Sequence, residues 1–420
     1  MDNIKIQLDG WSDIYSGLGE ENSDKTVNFE SAMRMSAQEL ELIFSYNGLA
    51  NIICTEIPGD AIKNGITIFN DSDNFIKKKL DKLNFSNTVF NAFSSARAFG
   101  GCVVVMDIDD GAEISEPVNV ENINDIKSIE IYDRIKCIIT TSNFNTDKDS
   151  DNFGKIEFYR IQLQNGTQLE VHYTRCLFFP GEYLTTTIKE LNEFYDGSVI
   201  QRIYSSLTKI DPAFEYVNKL LKRSNILKFG VKGLSEIVLN GNADTVLDRL
   251  RILKRGMSIM NAAMYDPDGE EIVSESLQLT GLPDILKQFM IYLSAESRIP
   301  VNRLFSKLFG GISDGADSDE IRYLDYVKRE QERVLKNEYN KIISYIANIK
   351  DSKLKSEDVY FIFNPLVSYS KKELIEMESK TIESLSKLFE WQVISKEQFQ
   401  EALTKLDSID ISFDGLEGNL

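Results

Sequence analysis

The residues of this chain that could support metal or nucleophilic chemistry are few and widely spaced. His172 is the only histidine among 420 residues. A zinc site or a histidine-based triad needs partners at suitable spacing, and none is apparent. The four cysteines form no Cys-x-x-Cys pair, so we interpret them as reduced, small hydrophobic residues rather than disulfides or metal ligands. They are Cys54, Cys102, Cys137 and Cys176.

Two other segments contain residue types that could bind a metal or a phosphate. Asp107, Asp109 and Asp110 could form a carboxylate cluster, but they follow a strand-like run and we interpret them as a strand-end turn. Residues 310–315, Gly-Gly-Ile-Ser-Asp-Gly, lack the lysine and the preceding strand of a phosphate-binding loop. The chain also has no EF-hand loop and no nucleophile elbow. The sequence therefore predicts a protein that is not an enzyme and has no cofactor or metal.

The composition indicates a folded chain of two or three packed modules. Hydrophobic residues make up 42% of the chain, and the net charge is −19 with a pI of about 4.7. Taken alone, this charge argues against nucleic-acid binding, because phosphate binders are usually basic. No apolar run reaches the roughly 18–20 residues that span a bilayer, and the first residues lack a signal-peptide profile. We therefore expect cytoplasmic synthesis and no membrane association.

The first half of the chain predicts helices followed by strands. Residues 1–29 are polar and predict a flexible arm. Helices are predicted over 36–57, ending before Pro58, and over 72–97. The hydrophobic period then becomes that of strands, which are predicted over 100–107, 128–140, 155–163 and 169–178. Residues 30–195 therefore predict an α+β module.

Two amphipathic helices follow. Residues 198–224 carry a narrow apolar seam at steps of three and four, which could pack within one chain or against a copy of the chain. Because a proline in a helix interior costs on the order of 3 kcal/mol, we expect a kink or a restart at Asp211-Pro212. A second helix, opened by Gly281-Leu-Pro-Asp and ended by Ile299-Pro300, has one apolar face. The packing residues that we single out are Ile203, Leu207, Phe214, Leu221, Ile285, Phe289 and Leu293.

The segment between these helices, residues 226–278, is short and mixed, with a local basic excess. This excess could contact phosphate or an acidic partner, or it could be a solvated helix face. The basic residues that we single out are Lys228, Lys232, Arg249, Arg251, Lys254 and Arg255.

Glycines and a long helix follow the second amphipathic helix. Residues 306–317 predict a mobile loop, with candidate residues Lys307, Gly310, Gly311, Ser313, Asp314 and Gly315. A helix of roughly 45 Å is predicted over 318–349. A strand over 359–363 and helices over 371–388 and 395–406 follow, before an acidic stretch that we expect to be disordered.

Three stretches resemble the portal proteins of long-tailed bacteriophages. Residues 96–111, with Gly100-Gly101 before a Val-Val-Val strand, resemble that family's glycine-opened strand. Tyr195-Asp-Gly-Ser-Val-Ile-Gln-Arg-Ile-Tyr is similar to a second motif of the family. Residues 281–305, Gly-Leu-Pro-Asp to Ile-Pro-Val-Asn-Arg-Leu-Phe, resemble a third and longer one. The chain departs from the family pattern at Pro212 and in the letters of the loop after Phe305.

The resemblance implies an α+β portal-type fold with an α+β wing, a two-helix stem, a small mixed α/β clip and a helical C-terminal crown. The N-terminal arm would cover 1–29, and the acidic C-terminal tail would cover 407–420. The other regions would be the wing at 30–195 and 318–350, stem helices at 196–225 and 280–305, the clip at 226–279, a channel-facing tunnel loop at 306–317 and the crown at 351–406.

The resemblance further implies a homo-oligomeric ring, dodecameric, at one capsid vertex of the virion and assembled in the host cytoplasm. Implied partners are the terminase large subunit, a head–tail adaptor, the major capsid protein and double-stranded DNA that passes without sequence specificity. An acidic channel wall fits this function, since it repels phosphate instead of gripping it. The alternative is another head–tail adaptor or a capsid-associated minor protein, distinguished by ring stoichiometry and channel width.

Overall fold

The computed structural model describes residues 35–163, 165–223, 225–232, 270–276, 281–305, 316–352, 358–366 and 371–391, with a few single positions between them. The predicted arm at 1–29, most of the basic segment, the loop residues 306–315, the helix at 395–406 and the acidic end lie outside the described residues. Within the described part of the chain, no helix combines the length and the apolar character needed to cross a bilayer.

The first predicted helix is two helices, α1 (Ala37–Tyr46) and α2 (Gly48–Ile62). Ser36 and Glu39 form a capping box at the start of α1, and the Asn47 side chain accepts a hydrogen bond from the Ala50 N–H at the start of α2. The prediction of a single helix that ends before Pro58 is wrong, because α2 continues through Pro58. Pro58 is buried on the core face of α2, and this tertiary burial outweighs the local cost of the proline.

The α+β part of the chain has two small antiparallel sheets and a central helix. Helix α4 (Phe85–Phe99) is buried along most of its length and packs on strand β2 (Gly101–Asp109). Turns divide two of the predicted strand runs, one after Asp133 and one at Tyr173–Arg175. The central sheet has the order β3-β2-β7, and the second sheet has the order β4-β5-β6. The elements are α3 (Phe75–Lys82), α4 (Phe85–Phe99), β2 (Gly101–Asp109), β3 (Asp125–Asp133), β4 (Cys137–Ile138), β5 (Phe158–Gln162), β6 (Gln168–His172), β7 (Cys176–Pro180) and α5 (Thr186–Leu191).

A helix pair joined by a β-ribbon leaves this α+β part. Helix α6 (Val199–Arg223) is followed by β8 (Asn225–Val231), and β9 (Glu270–Ser276) is followed by α7 (Leu282–Ser297). Asn225 pairs with Ser276, so the chain that leaves along α6 returns beside it along α7. Helix α6 is continuous through Pro212, so the predicted restart is wrong. Packing against α7 and the core stabilises α6 despite the hydrogen bond that Pro212 cannot donate.

The long helix returns across the molecule and is interrupted by a π-helical turn. It comprises α9 (Ala316–Glu330), the π segment Gln331–Leu335 and α10 (Lys336–Ala347). Within the π segment, the buried Gln331 donates a 2.6 Å hydrogen bond to the Ala61 carbonyl at the end of α2. The remaining elements are α8 (Val301–Leu304), the strand pair β1 (Ile66–Phe69) and β10 (Tyr360–Phe363), and α11 (Lys371–Glu390).

Three glycines let backbone segments touch where α6 begins. Gly100 has φ +91°, and a Cβ there would lie 2.1 Å from the Asp196 carbonyl oxygen. A Cβ at Gly181 would lie 2.6 Å from both the Gly100 Cα and the Gly197 oxygen. Glu182 and Gly197 exchange two backbone hydrogen bonds beside this crossing, at 2.9 and 2.7 Å. At Gly100 and Gly181, a side chain larger than hydrogen cannot be accommodated without moving the backbone.

The long helix is attached to β7 by two partly buried ionisable residues, Glu338 and Lys341. The Glu338 carboxylate accepts a 3.2 Å hydrogen bond from the Phe178 N–H. The Lys341 ammonium donates to the carbonyls of Tyr173 and Cys176, at 2.8 and 2.5 Å. Burial raises the pKa of Glu338 to about 7, although Lys341 and the Phe178 N–H act in the opposite direction.

We predict that Gly100→Ala lowers the free energy of unfolding by about 2–4 kcal/mol, since the added methyl group meets backbone and the positive φ is unfavourable for alanine. Chemical denaturation of the full chain measures the change. Gly154→Ala is the matched control, because Gly154 has φ +72° but open space around its Cα. It should cost about 1 kcal/mol. Equal losses in the two variants would contradict the steric argument.

We predict a pH dependence of stability that belongs to Glu338. Its folded-state pKa lies above the unfolded value of 4.5, so the folded state holds the proton more tightly. The contribution is full below about pH 4.5 and is lost as pH rises through about 7, on the order of 2–3 kcal/mol.

Chemical denaturation at several pH values tests this dependence. Glu338→Gln should flatten the fall in unfolding free energy over this window. Glu332→Gln is the control, because Glu332 lies on the same long helix but is half-exposed and paired with Lys336. It should leave the fall intact.

Candidate subunit-interface site

His172 and the four cysteines, which could have supported nucleophilic or metal chemistry, are all buried. His172 Nδ1 lies 2.8 Å from the Thr174 hydroxyl, and burial, together with Arg175 and Lys341, lowers the pKa of His172. All four cysteines are free and buried. Burial raises the pKa of the Cys54 thiol to about 12, which disfavours a reactive thiolate. Among the described residues, no group of three His, Cys, Asp or Glu side chains is placed to hold a metal ion.

The strand-end aspartates have a structural partner that the sequence did not indicate. Asp110 is buried and accepts two hydrogen bonds from Arg175 Nη2, at 3.0 and 2.8 Å. It also accepts from the N–H groups of Ala112 and Asn119, as expected of a turn. Although burial opposes it, these bonds and the Arg175 charge lower the pKa of Asp110. Asp110 therefore fixes the end of β2 against β7.

The first half of α6 is buried within its own chain, and the described apolar side chains of its second half are more exposed. Ile203, Leu207 and Ile210 are buried in the hydrophobic clusters of the α+β part. One turn further along the seam, the side chain of Phe214 is 38% exposed. Tyr216, which points to another side of the helix, is 39% exposed. The side chain of Leu221 lies outside the described residues. The periodicity therefore defined one face, and the described residues of that face are fully buried only in the first half of the helix.

Helix α7 has buried and exposed apolar side chains on different sides of the helix. Leu293 is buried, and Phe289 is half-buried against the core. Ile285 and Tyr292, two turns apart, are 54% and 58% exposed, and Ile291 is also exposed. Large apolar side chains in succession on one helix are typical of a surface that meets another protein. We name Ile285, Ile291 and Tyr292 the α7 stripe.

A buried carboxylate gathers arginines where the helix pair meets the long helix. Glu182 forms an ion pair with Arg202 of α6 at 2.9 Å, and its Oε1 lies 3.6 Å from Nη1 of Arg97 on α4. Burial opposes ionisation of Glu182, but Arg202, Arg97, Arg298 and Arg333 outweigh it and lower its pKa. Glu182 therefore links α4 and α6 through Arg97 and Arg202, and Tyr326 of the long helix donates a 3.4 Å hydrogen bond to it.

A second cluster, around Arg303 of α8, joins α8 to helix α2 and to helix α9. Arg303 donates to Glu56 at 2.9 Å and to Asp60 at 2.6 Å, both on α2, and to Glu320 on α9 at 2.6 and 3.1 Å. Its guanidinium lies 4.6 Å from the Tyr323 ring centroid. The hydrogen bonds to Glu320 are the main cause that raises the pKa of Arg303, so it remains charged.

Sequence reasoning missed the Arg303 cluster, although a signal was present. Glu56 and Asp60 lie four residues apart on a helix, so both carboxylates occupy one face next to buried Ile57 and Ala61. Carboxylates at the border of an apolar face usually have a cationic partner. Their partner is more than 240 residues away in the chain, which no local pattern identifies.

The structure describes only part of the basic segment and none of the side chains of the predicted loop. Lys232 is exposed. Arg251 is exposed and pairs with Asp248 at 2.8 Å. Arg249 is half-buried. The side chain of Lys228, all of Lys254 and Arg255, and the loop residues Lys307, Gly310, Gly311, Ser313, Asp314 and Gly315 lie outside the described residues. Their roles remain predictions.

Comparison with known proteins finds a family model and several relatives that match most of the chain. A family model described as phage portal protein matches residues 38–387. An uncharacterised protein of Haemophilus influenzae is 24% identical over 418 residues, which covers 98% of this chain and 93% of that protein. Proteins named anti-CBASS protein Acb1, from Caulobacter sp. and Sphingomonas paeninsulae, are 23% identical over 390 residues and 89% of this chain. The chain spans 61% of the length of these two relatives.

Solved structures of phage-like particles have low sequence identity to the chain. A chain of a native gene transfer agent virion has a TM-score of 0.49 at 8% identity, covering 88% of this chain and 94% of that chain. An HK97-family phage portal protein from Corynebacterium diphtheriae has a TM-score of 0.41 at 8% identity, covering 79% and 95% of the two chains.

We predict that Arg303→Met lowers the free energy of unfolding by about 2–3 kcal/mol, because it leaves three carboxylates without their shared cation. Thermal or chemical denaturation measures the loss. Arg322→Met is the control. Arg322 is 80% exposed and has one weak 4.0 Å ion pair, so its loss should change stability by about 0.5 kcal/mol or less. A neutral Arg303→Met variant would show that the cluster does not anchor the helices.

Proposed function

This chain belongs to the phage portal protein family, and from that premise we propose that it self-assembles into a portal ring at one capsid vertex. Portal proteins are structural proteins of the virion. The finer function that we propose is a channel through which the terminase motor packages double-stranded DNA and through which DNA is later ejected. The ring would also join head and tail through an adaptor, and would contact the major capsid protein.

The observation that carries the ring proposal is the apolar surface left open by the helix pair. A ring needs a heterologous interface, in which one face of a subunit meets a different face of the next. The α7 stripe supplies one apolar face, and the partly exposed Phe214 on the seam of α6 supplies another. In a ring of such pairs, α7 of one copy packs against α6 of the next. We propose twelve copies, the number that the family resemblance implies.

The proposed regions of the ring follow the order of the chain. The α+β part and the long helix form the wing, α6 and α7 the stem, residues 226–279 the clip, residues 306–317 the tunnel loop and residues 351–406 the crown. The clip carries the basic residues Lys228, Lys232, Arg249, Arg251, Lys254 and Arg255, which would face an acidic surface of the terminase or the adaptor. The chain as a whole is acidic, so its channel would let DNA slide without gripping phosphate.

Imaging of the purified chain over a concentration series tests the proposal. We expect twelve-fold rings with a central hole wide enough for duplex DNA, seen by negative-stain microscopy and weighed by mass photometry. The double variant Ile285→Asp, Tyr292→Asp should prevent rings while the chain stays folded, because it places carboxylates in the apolar contact.

A matched control separates interface loss from a general surface effect. Leu42→Asp, Tyr46→Asp changes similarly exposed residues on α1, at 59% and 84% exposure, and should leave rings intact. A closed dimer or tetramer without a channel would contradict the portal ring and favour a head–tail adaptor or a minor capsid protein.

A further inference from the structure

An open groove along the long helix concentrates cations in an otherwise acidic protein. The groove has a volume of about 970 Å³ and is lined by Arg322, Asp325, Lys328, Arg329, Glu332 and Arg333. Four cations therefore face two carboxylates, although acidic residues outnumber basic ones by 66 to 47 in the whole chain. We name these six residues the arginine groove.

The cations of the arginine groove are only partly neutralised within the chain. Arg333 pairs with Glu330 at 2.7 Å and donates to the Gly181 carbonyl at 3.0 Å. Arg322 has only the 4.0 Å pair with Asp319. Within the described residues, Lys328 and Arg329 make no ion pair, and Arg329 lies 5.6 Å from the Tyr326 ring centroid. Lys328 and Arg329 therefore leave positive charge at the surface of the groove that no carboxylate of the described residues neutralises.

The arginine groove lies near the end of α7, because Arg298 and the groove residue Arg329 both approach the ring of Tyr326. Arg298 is the C-terminal cap of α7, two turns after Ile291. Its guanidinium lies 5.2 Å from the centroid of the Tyr326 ring, which Arg329 also approaches. Arg298 is exposed and makes no ion pair with a described residue. An apolar strip near a set of arginines resembles the anatomy of a protein interface, with an apolar centre and a polar margin rich in arginine.

We propose that the arginine groove binds a carboxylate-bearing surface of the neighbouring copy of this chain. This inference rests on the proposed ring. Each copy carries a net charge of −19, so copies side by side repel unless a local contact opposes that repulsion. Arginines suit this contact, because the planar guanidinium binds carboxylates in a bidentate manner. Asp325 and Glu332 within the groove oppose a polyphosphate occupant and fit a protein surface of mixed charge.

Zero-length carbodiimide cross-linking identifies what the groove meets. Rings assembled from equal parts of heavy-isotope-labelled and unlabelled chains are treated, and peptides containing Lys328 are analysed by mass spectrometry. We expect cross-links from Lys328 to Asp or Glu with mixed labels, which arise only between copies. Cross-links to Asp325 or Glu332 with a single label show that Lys328 is reactive. Reactive Lys328 that forms single-label cross-links alone overturns the inference.

Charge reversal gives an independent measurement. Arg322→Glu, Arg329→Glu should raise the concentration for half-assembly by about tenfold or more, and added salt should weaken wild-type assembly. Lys77→Glu, Lys78→Glu on α3 makes the same change in net charge at exposed residues and should have little effect. Unchanged assembly of the groove variant overturns the inference while the ring remains valid. Intact assembly of this variant together with a loss of DNA binding also overturns the inference, because it would assign the groove to phosphate. A wild-type chain that forms no ring contradicts the proposed function itself.

Discussion

The close contact of three backbone segments at Gly100, Gly181 and Gly197 determines how the helix pair leaves the rest of the molecule. Helix α4 ends at Gly100, β7 ends next to Gly181, and α6 begins just after Gly197. Because no side chain separates these segments, Glu182 and Gly197 can exchange backbone hydrogen bonds. Tyr195 and Ser198, on either side of Gly197, add hydrogen bonds to the carbonyls of Cys137 and Ala98. The direction of α6 is therefore set by backbone contact, which side-chain rearrangement cannot relax.

Clusters of charged side chains, buried around Glu182 and partly buried around Arg303, join helices at two places. Glu182 holds arginines from α4 and α6, and Arg303 holds carboxylates from α2 and α9. Removing one member of such a cluster leaves the others buried without a partner, which costs more than the intact cluster contributes. These clusters specify which helices meet more than they add to stability. For a ring subunit this matters, since small errors in helix direction accumulate around a closed assembly.

The surface of the described residues divides into parts with different physical tasks. Exposed apolar side chains on the helix pair include Phe214 of α6 and Ile285 and Tyr292 of α7. The arginine groove lies on the long helix beside the end of α7. An acidic subunit that assembles with copies of itself needs both features, because apolar burial supplies attraction and local cations reduce repulsion.

The sequence by itself determined the family resemblance, the strand that opens at Gly100-Gly101, the two amphipathic helices and the long helix, because each depends on residue spacing along a continuous segment. The family match over residues 38–387 confirms that resemblance. Only the tertiary structure decided that α2 and α6 continue through Pro58 and Pro212, since distant packing outweighs a local cost. It also decided that the seam of α6 is buried at Ile210 and open at Phe214. Spacing shows which residues share a face, whereas the partner of that face comes from elsewhere in the chain or from another copy.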